Sequence, residues 1–206
     1  MKDKFQKVIS ELDNFNLPNW NEFPNIDLYM DQVFTYLNRE LNPLKINDED
    51  KIITTSMINN YVKGNLIKAP DHKKYNKEHL NRLLIISSLK QILSISSIEQ
   101  LLNNHNKKES EELYEIITSE QKDALSKEVS AFNEFLTNIN DDDQLQDAIS
   151  SYIIRLAIHA EVQKILAGKL LNVFEKAKQE NQIEIEKAQK ADKEKQPKKK
   201  KKDETI

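Results

Sequence analysis

Four polar residues, Ser56, Asn59, Asn60 and Lys63, follow one another at spacings of three, one and three, which on a helix gathers them on one face. An outward asparagine on a helix in the major groove can bond adenine N6 and N7 together. Serine reads base edges more loosely, and lysine meets phosphate. Farther along, Lys73-Lys74 stands ahead of Tyr75, with Lys51 before the polar set and Arg82 after it. The chemistry of such a set is hydrogen bonding and charge pairing with a polyanion, and catalysis is not expected. His72, His79, His105 and His159 are scattered, with no HExxH, no Gly-rich phosphate loop and no GxSxG. His72 beside Lys73 fits either phosphate contact or a solvated loop, while His159, on an apolar stretch, reads as a core histidine. No cysteine is present, which removes disulfides, thiolate metal sites and thiol redox sensing together. No metal or cofactor is expected.

The net charge of −3 hides an asymmetry. Between Lys51 and Gln91 there are eight Lys or Arg against Asp71 and Glu78, a net of +6, whereas Glu99 to Ser150 carries four Lys and thirteen Asp or Glu, a net of −9. A basic segment that meets phosphates gains affinity by counterion release. The blander alternative is a solvated basic face. Asp48-Glu49-Asp50, just ahead of Lys51, would repel phosphates.

Two glycines, five prolines and 32% charged residues favour long helices. Phe5, Val8, Ile9 and Leu12 predict a short amphipathic helix over Asp3 to Leu12, packed on the segment that follows. After the Pro18 and Pro24 linker, Asp27 is expected to cap a helix whose Met30, Val33, Phe34, Leu37 and Leu41 form one stripe ending before Pro43. Thr54 or Thr55 caps the helix that carries the polar set, with Met57, Ile58 and Tyr61 inward and Gly64-Asn65 supplying residues tolerant of positive φ at its end. Leu66 to Tyr75 leaves room only for a small wing with Ala69-Pro70-Asp71 at its tip. Asn76 caps an apolar helix from Lys77 to Leu93, and Ser96 with Glu99 makes a capping box for another. Thr118 with Gln121 restarts a helix among the acidic residues. Asp141 to Asp143 precede a last helix from Gln144 to about Ala177, whose stretch Tyr152 to Ala160 is apolar on most faces and therefore central in a bundle or clasped by a partner. Beyond Gln179 the sequence reads as a frayed helix and a basic tail, Lys198 to Lys202.

Tyr61, the turn Lys63-Gly64-Asn65-Leu66-Ile67, the basic Lys73-Lys74-Tyr75 and Ser96 with Glu99 follow the order and spacing of the winged helix-turn-helix of the MerR group of bacterial regulators, which this stretch resembles. With Ile26 to Val33 upstream and Met57 to Lys63, the chain also resembles a bacterial domain-of-unknown-function family assigned to transcriptional regulation by its MerR-like head. The resemblance covers Trp20 to Leu102. Asn65 stands where the MerR pattern has glycine, Asn59 where the larger group has arginine, and the loop Asn42 to Lys51 is longer than usual.

The expectation is a mainly α protein, a MerR-like winged helix-turn-helix head followed by an α-helical C-terminal domain. Its parts are residues 1–19, an amphipathic helix and linker; 20–106, the head; 107–180, an acidic helical dimerisation and effector domain; and 181–206, a charged tail. The resemblance implies a sequence-specific transcriptional regulator that binds double-stranded DNA as a homodimer through Lys51, Ser56, Asn59, Asn60, Lys63, Lys73, Lys74 and Arg82. The effector is unidentified. Charged residues interrupt every apolar run, so no membrane span and a cytoplasmic location are expected. The alternative is a helical adaptor whose head meets a protein.

Overall fold

Short polar signals set the helix ends, and apolar stripes hold the helices against one another. The computed structural model describes residues 1–104, 110–139 and 144–195. His105, Asn106, Asp141 to Asp143 and Lys198 to Lys202 lie outside them. The described residues are mainly helical: α1 (Lys2–Asp13), α2 (Met30–Leu41), α3 (Thr55–Lys63), α4 (Lys77–Leu89), α5 (Ile95–Asn104), α6 (Ser110–Thr137) and α7 (Leu145–Lys195). Two-residue strands β1 (Leu28–Tyr29) and β2 (Lys74–Tyr75) and single 3-10 turns at Trp20–Glu22 and Asn42–Leu44 complete the set. None of the described helices is long and apolar enough to cross a membrane.

Two units divide the chain, Met1–Ala160 and Glu161–Ile206. In the first, α4 is the central element. Its run His79-Leu80-Asn81 and Leu83 to Ser87 is buried on almost every side, as a helix apolar all round must be. Val33, Leu37 and Leu41 of α2, Ile58 and Tyr61 of α3, and Ile98 and Leu102 of α5 share its core. So do Phe15 and Leu17 before Trp20, and Tyr114 of α6, whose hydroxyl donates to the Pro18 carbonyl at 2.8 Å. The Tyr114–Pro18 bond thus links the start of α6 to the segment just ahead of Trp20.

A smaller core joins Leu136 of α6 to Leu145 and Ile149 of α7, and Phe5 of α1 packs there, with its ring 6.4 Å from that of Phe132. The first helix therefore lies on α6 and not on the head. Lys2 Nζ reinforces this by donating to the Ile139 carbonyl. The second unit holds the rest of α7. Helix there runs on to Lys195, past the expected end near Ala177.

Several boundaries differ from expectation for local reasons. Leu28 and Tyr29 are recruited into β1, so Tyr29 and not Asp27 precedes the first turn of α2, and its N–H donates to Gln32 Oε1 at 2.9 Å. α4 ends at Leu89 instead of Leu93, because the chain turns there and Ser94, not Ser96, caps α5 by accepting from Ser97 N–H at 3.1 Å. Thr118 donates its hydroxyl back to the Glu115 carbonyl within α6, which runs through without a restart.

Candidate nucleic-acid interface

α3 is only nine residues long, so its ends matter as much as its face. Thr54 Oγ1 accepts from Met57 N–H at 3.2 Å, an N-cap interaction of about 1 kcal/mol. At the other end Leu66 N–H donates to Tyr61 O at 2.9 Å and Asn65 N–H to Val62 O at 3.1 Å, the paired bonds of a Schellman motif. The left-handed residue in it is Asn65, at φ 56°, while Gly64 keeps an ordinary negative φ. Asparagine tolerates that conformation better than most side chains, which is how this turn closes without glycine at the position. Ile58 and Tyr61 are buried behind the helix and Met57 half-buried, with Nζ of Lys90, just past the end of α4, 3.2 Å from Met57 Sδ. Burial lowers the pKa of that lysine from its ordinary value.

On the opposite face Ser56, Asn59, Asn60 and Lys63 are all exposed, and α3 contains no acidic residue. None of the four uses its side chain in a hydrogen bond or ion pair among the described residues. The face presents donors and acceptors with one positive charge, and nothing in the fold competes for them.

The segment expected to form a wing departs from a simple hairpin. Lys74 N–H donates to Asp71 O at 2.7 Å across a turn whose two central residues, His72 (φ 44°) and Lys73 (φ 65°), are both left-handed. Positive φ at both central positions defines a type I′ turn, in which Asn-Gly is preferred. The tip is therefore His72-Lys73 rather than Ala69-Pro70-Asp71. β2 then pairs antiparallel with β1 from ahead of α2, Leu28 opposite Tyr75 and Tyr29 opposite Lys74. His72 and Asp71 form an ion-pair contact at 3.7 Å, but both are almost fully exposed, so it adds little.

Of the residues singled out from sequence, the fold gathers Ser56, Asn59, Asn60 and Lys63 on α3 and sets Lys73 and Lys74 on the turn that opens at Asp71. Lys51 is exposed in the segment leading to α3, and Lys74 is half-buried. Arg82 is committed elsewhere. Its Nε donates to the Leu66 carbonyl at 3.0 Å, and its half-buried guanidinium has its pKa lowered by burial, with Glu99 opposing. It ties the turn after α3 to α4. His159 is exposed and not a core histidine.

The sequence did not single out His79, which closes a reciprocal cap with Asn76. His79 N–H donates to Asn76 Oδ1 and Asn76 N–H to His79 Nδ1, both at 3.1 Å. A histidine three residues after a capping asparagine was the signal for it. Lys77 Nζ lies 4.4 Å from the Trp20 ring centroid, and neither spacing nor periodicity marks that pair.

The family model described as a domain of unknown function, DUF1836, matches residues 18–123. The chain belongs to this family. Curated proteins and solved structures give no match. The DUF1836 segment takes in Pro18 at one end and the first half of α6 at the other, the two pieces joined by the Tyr114–Pro18 hydrogen bond. The family match takes in most of the main core, and both reach past residue 106.

Proposed function

We propose that this DUF1836 protein is a cytoplasmic, sequence-specific DNA-binding regulator of transcription that acts by binding alone, through a MerR-like winged helix-turn-helix head. The observation that carries the reading is the outward face of α3, where Ser56, Asn59, Asn60 and Lys63 are exposed, uncommitted and free of neighbouring acid on their own helix. Asn59 and Asn60 read base edges with Ser56, while Lys51, Lys63, Lys73 and Lys74 fix register on phosphates. Arg82 supports the turn after α3 and takes no phosphate in this scheme.

A single short helix reads too little sequence for high specificity, and two-fold dimers are the common solution. α7 offers the surface for one. In the first unit Ile153 (59% exposed), Ile154 and Ile158 face solvent while Tyr152 is buried, which favours a partner on the exposed side of this stretch. In the second unit Val162, Ile165, Leu166, Leu170, Val173 and Phe174 are each at least half exposed. Apolar exposure on this scale marks an interaction surface, and a second copy of α7 is the occupant of matching chemistry.

The test is duplex binding by the full chain over a salt series and a panel of sequences. Lys73→Ala and Lys74→Ala should weaken all sequences alike, whereas Asn59→Ala and Asn60→Ala should mainly erode preference, by about 1–3 kcal/mol for each bidentate base pairing removed. Absence of binding at low salt would remove the proposal. One feature favours the other reading, an adaptor with a protein partner: Ile46 is 92% exposed beside the acidic residues Asp48 and Glu49. An adaptor should show no steep salt dependence on DNA.

A further inference from the structure

The β1–β2 pair has one face in the core and one in solvent. Leu28 and Tyr75, opposite each other, are buried, and the next pair, Tyr29 and Lys74, points the other way because successive strand side chains alternate. Tyr29 is 53% exposed, with Lys74 Nζ 5.4 Å from its ring centroid. Neither the Tyr29 hydroxyl nor the Lys74 ammonium has a hydrogen-bond or ion-pair partner among the described residues. An ammonium resting on an aromatic face has already given up part of its rotamer freedom, which lowers the cost of ordering it on a ligand. Lys73, exposed at the adjoining turn, extends the same positive surface.

We propose that Tyr29 and Lys74 form one seat for the phosphate backbone of duplex DNA, with the Tyr29 hydroxyl donating to a phosphate oxygen and Lys74 supplying the charge. The inference rests on the DNA-binding reading above and adds Tyr29, an uncharged donor from ahead of α2, to the interface. β1 pairing with the wing is what brings it there. Such a contact positions the protein and carries no sequence information of its own.

The experiment measures affinity of the full chain for labelled duplex across a salt series, in the unmodified protein and in Tyr29→Phe, Tyr29→Ala and Lys74→Ala. Tyr29→Phe keeps the ring beneath Lys74 and removes only the hydroxyl, so it should weaken every sequence by about three- to tenfold, the range of one net hydrogen bond, and leave the salt slope unchanged. Lys74→Ala should lower that slope by about one. Tyr29→Ala should weaken binding further than Tyr29→Phe, since it also releases Lys74. If Tyr29→Phe binds like the unmodified protein, the seat is wrong even though DNA binding stands. If the unmodified protein does not bind duplex, the regulator reading fails first and the seat falls with it. Should Tyr29→Ala lower the thermal midpoint, Tyr29→Phe still decides the matter, because it retains the packing.

Discussion

Replacing Tyr114 asks whether the start of α6 is held to the main core, and its environment sets the expected cost. The side chain is 1% exposed, its ring lies 5.2 Å from that of Phe23 in an edge-on contact, and its hydroxyl is bonded to the buried Pro18 carbonyl. Tyr114→Phe keeps the packing and leaves that carbonyl without its donor, a loss of about 1–2 kcal/mol. Tyr114→Ala also removes the ring from a fully buried site, for a total of about 3–5 kcal/mol. At roughly 2–4 °C of thermal midpoint per kcal/mol for a chain of this size, the two variants should separate clearly. Trp20 is the sole tryptophan, with its ring 6.5 Å from Tyr114, so its emission follows this junction while circular dichroism follows the helices. Urea unfolding read both ways should give coincident transitions shifted together in both variants. Coincidence with no shift in Tyr114→Ala would refute the packing argument, and Trp20 melting apart from the helical signal would show that α6 is not part of the cooperative unit around Trp20.

Lys73→Gly should raise stability by about 0.5–1 kcal/mol in thermal unfolding, since glycine adopts the left-handed turn position without the steric cost that lysine bears, while binding to DNA weakens for all sequences; a destabilised variant would contradict the strained-turn geometry. Burial raises the hydroxyl pKa values of Tyr36, Tyr61, Tyr75 and Tyr114 above the ordinary tyrosine range. The folded state holds protons that the unfolded chain releases near pH about 10, so this stabilisation is complete below that pH and is lost as pH rises through the folded values. Phenolate absorbance should therefore show a late, cooperative phase that coincides with alkaline unfolding, and independent titration of all tyrosines near their ordinary value would sink the assignment. Changing Ile153 and Leu156 together to Asp should convert a dimer to monomers in light scattering without loss of helical signal; a mass of 24.1 kDa for the unmodified protein at micromolar concentration, with and without DNA, would remove the dimer.

Short-range information in the sequence was enough for the presence of most helices, though not for all their ends, and for the polar face of α3. Thr54 caps it, Ile58 and Tyr61 turn inward, and Asn59, Asn60 and Lys63 turn out, because a period of 3.6 residues fixes those directions before any partner is known. Asn76 as a cap was legible for the same reason. What depended on residues far apart was not. Leu28 and Tyr29 read as the approach to a helix until Lys74 and Tyr75, more than forty positions on, pair with them, and that pairing replaces Asp27 as the start of α2 and brings Tyr29 beside Lys74. Arg82 looks like a surface cation in the sequence, yet the fold sets its Nε against the Leu66 carbonyl. Tyr114 looks like one apolar position in an acidic helix, yet it closes the head on Pro18. On α7 the sequence alone could not say whether Ile153 and its neighbours were core or surface, because periodicity fixes which residues share a face and only the tertiary structure decides whether anything covers it.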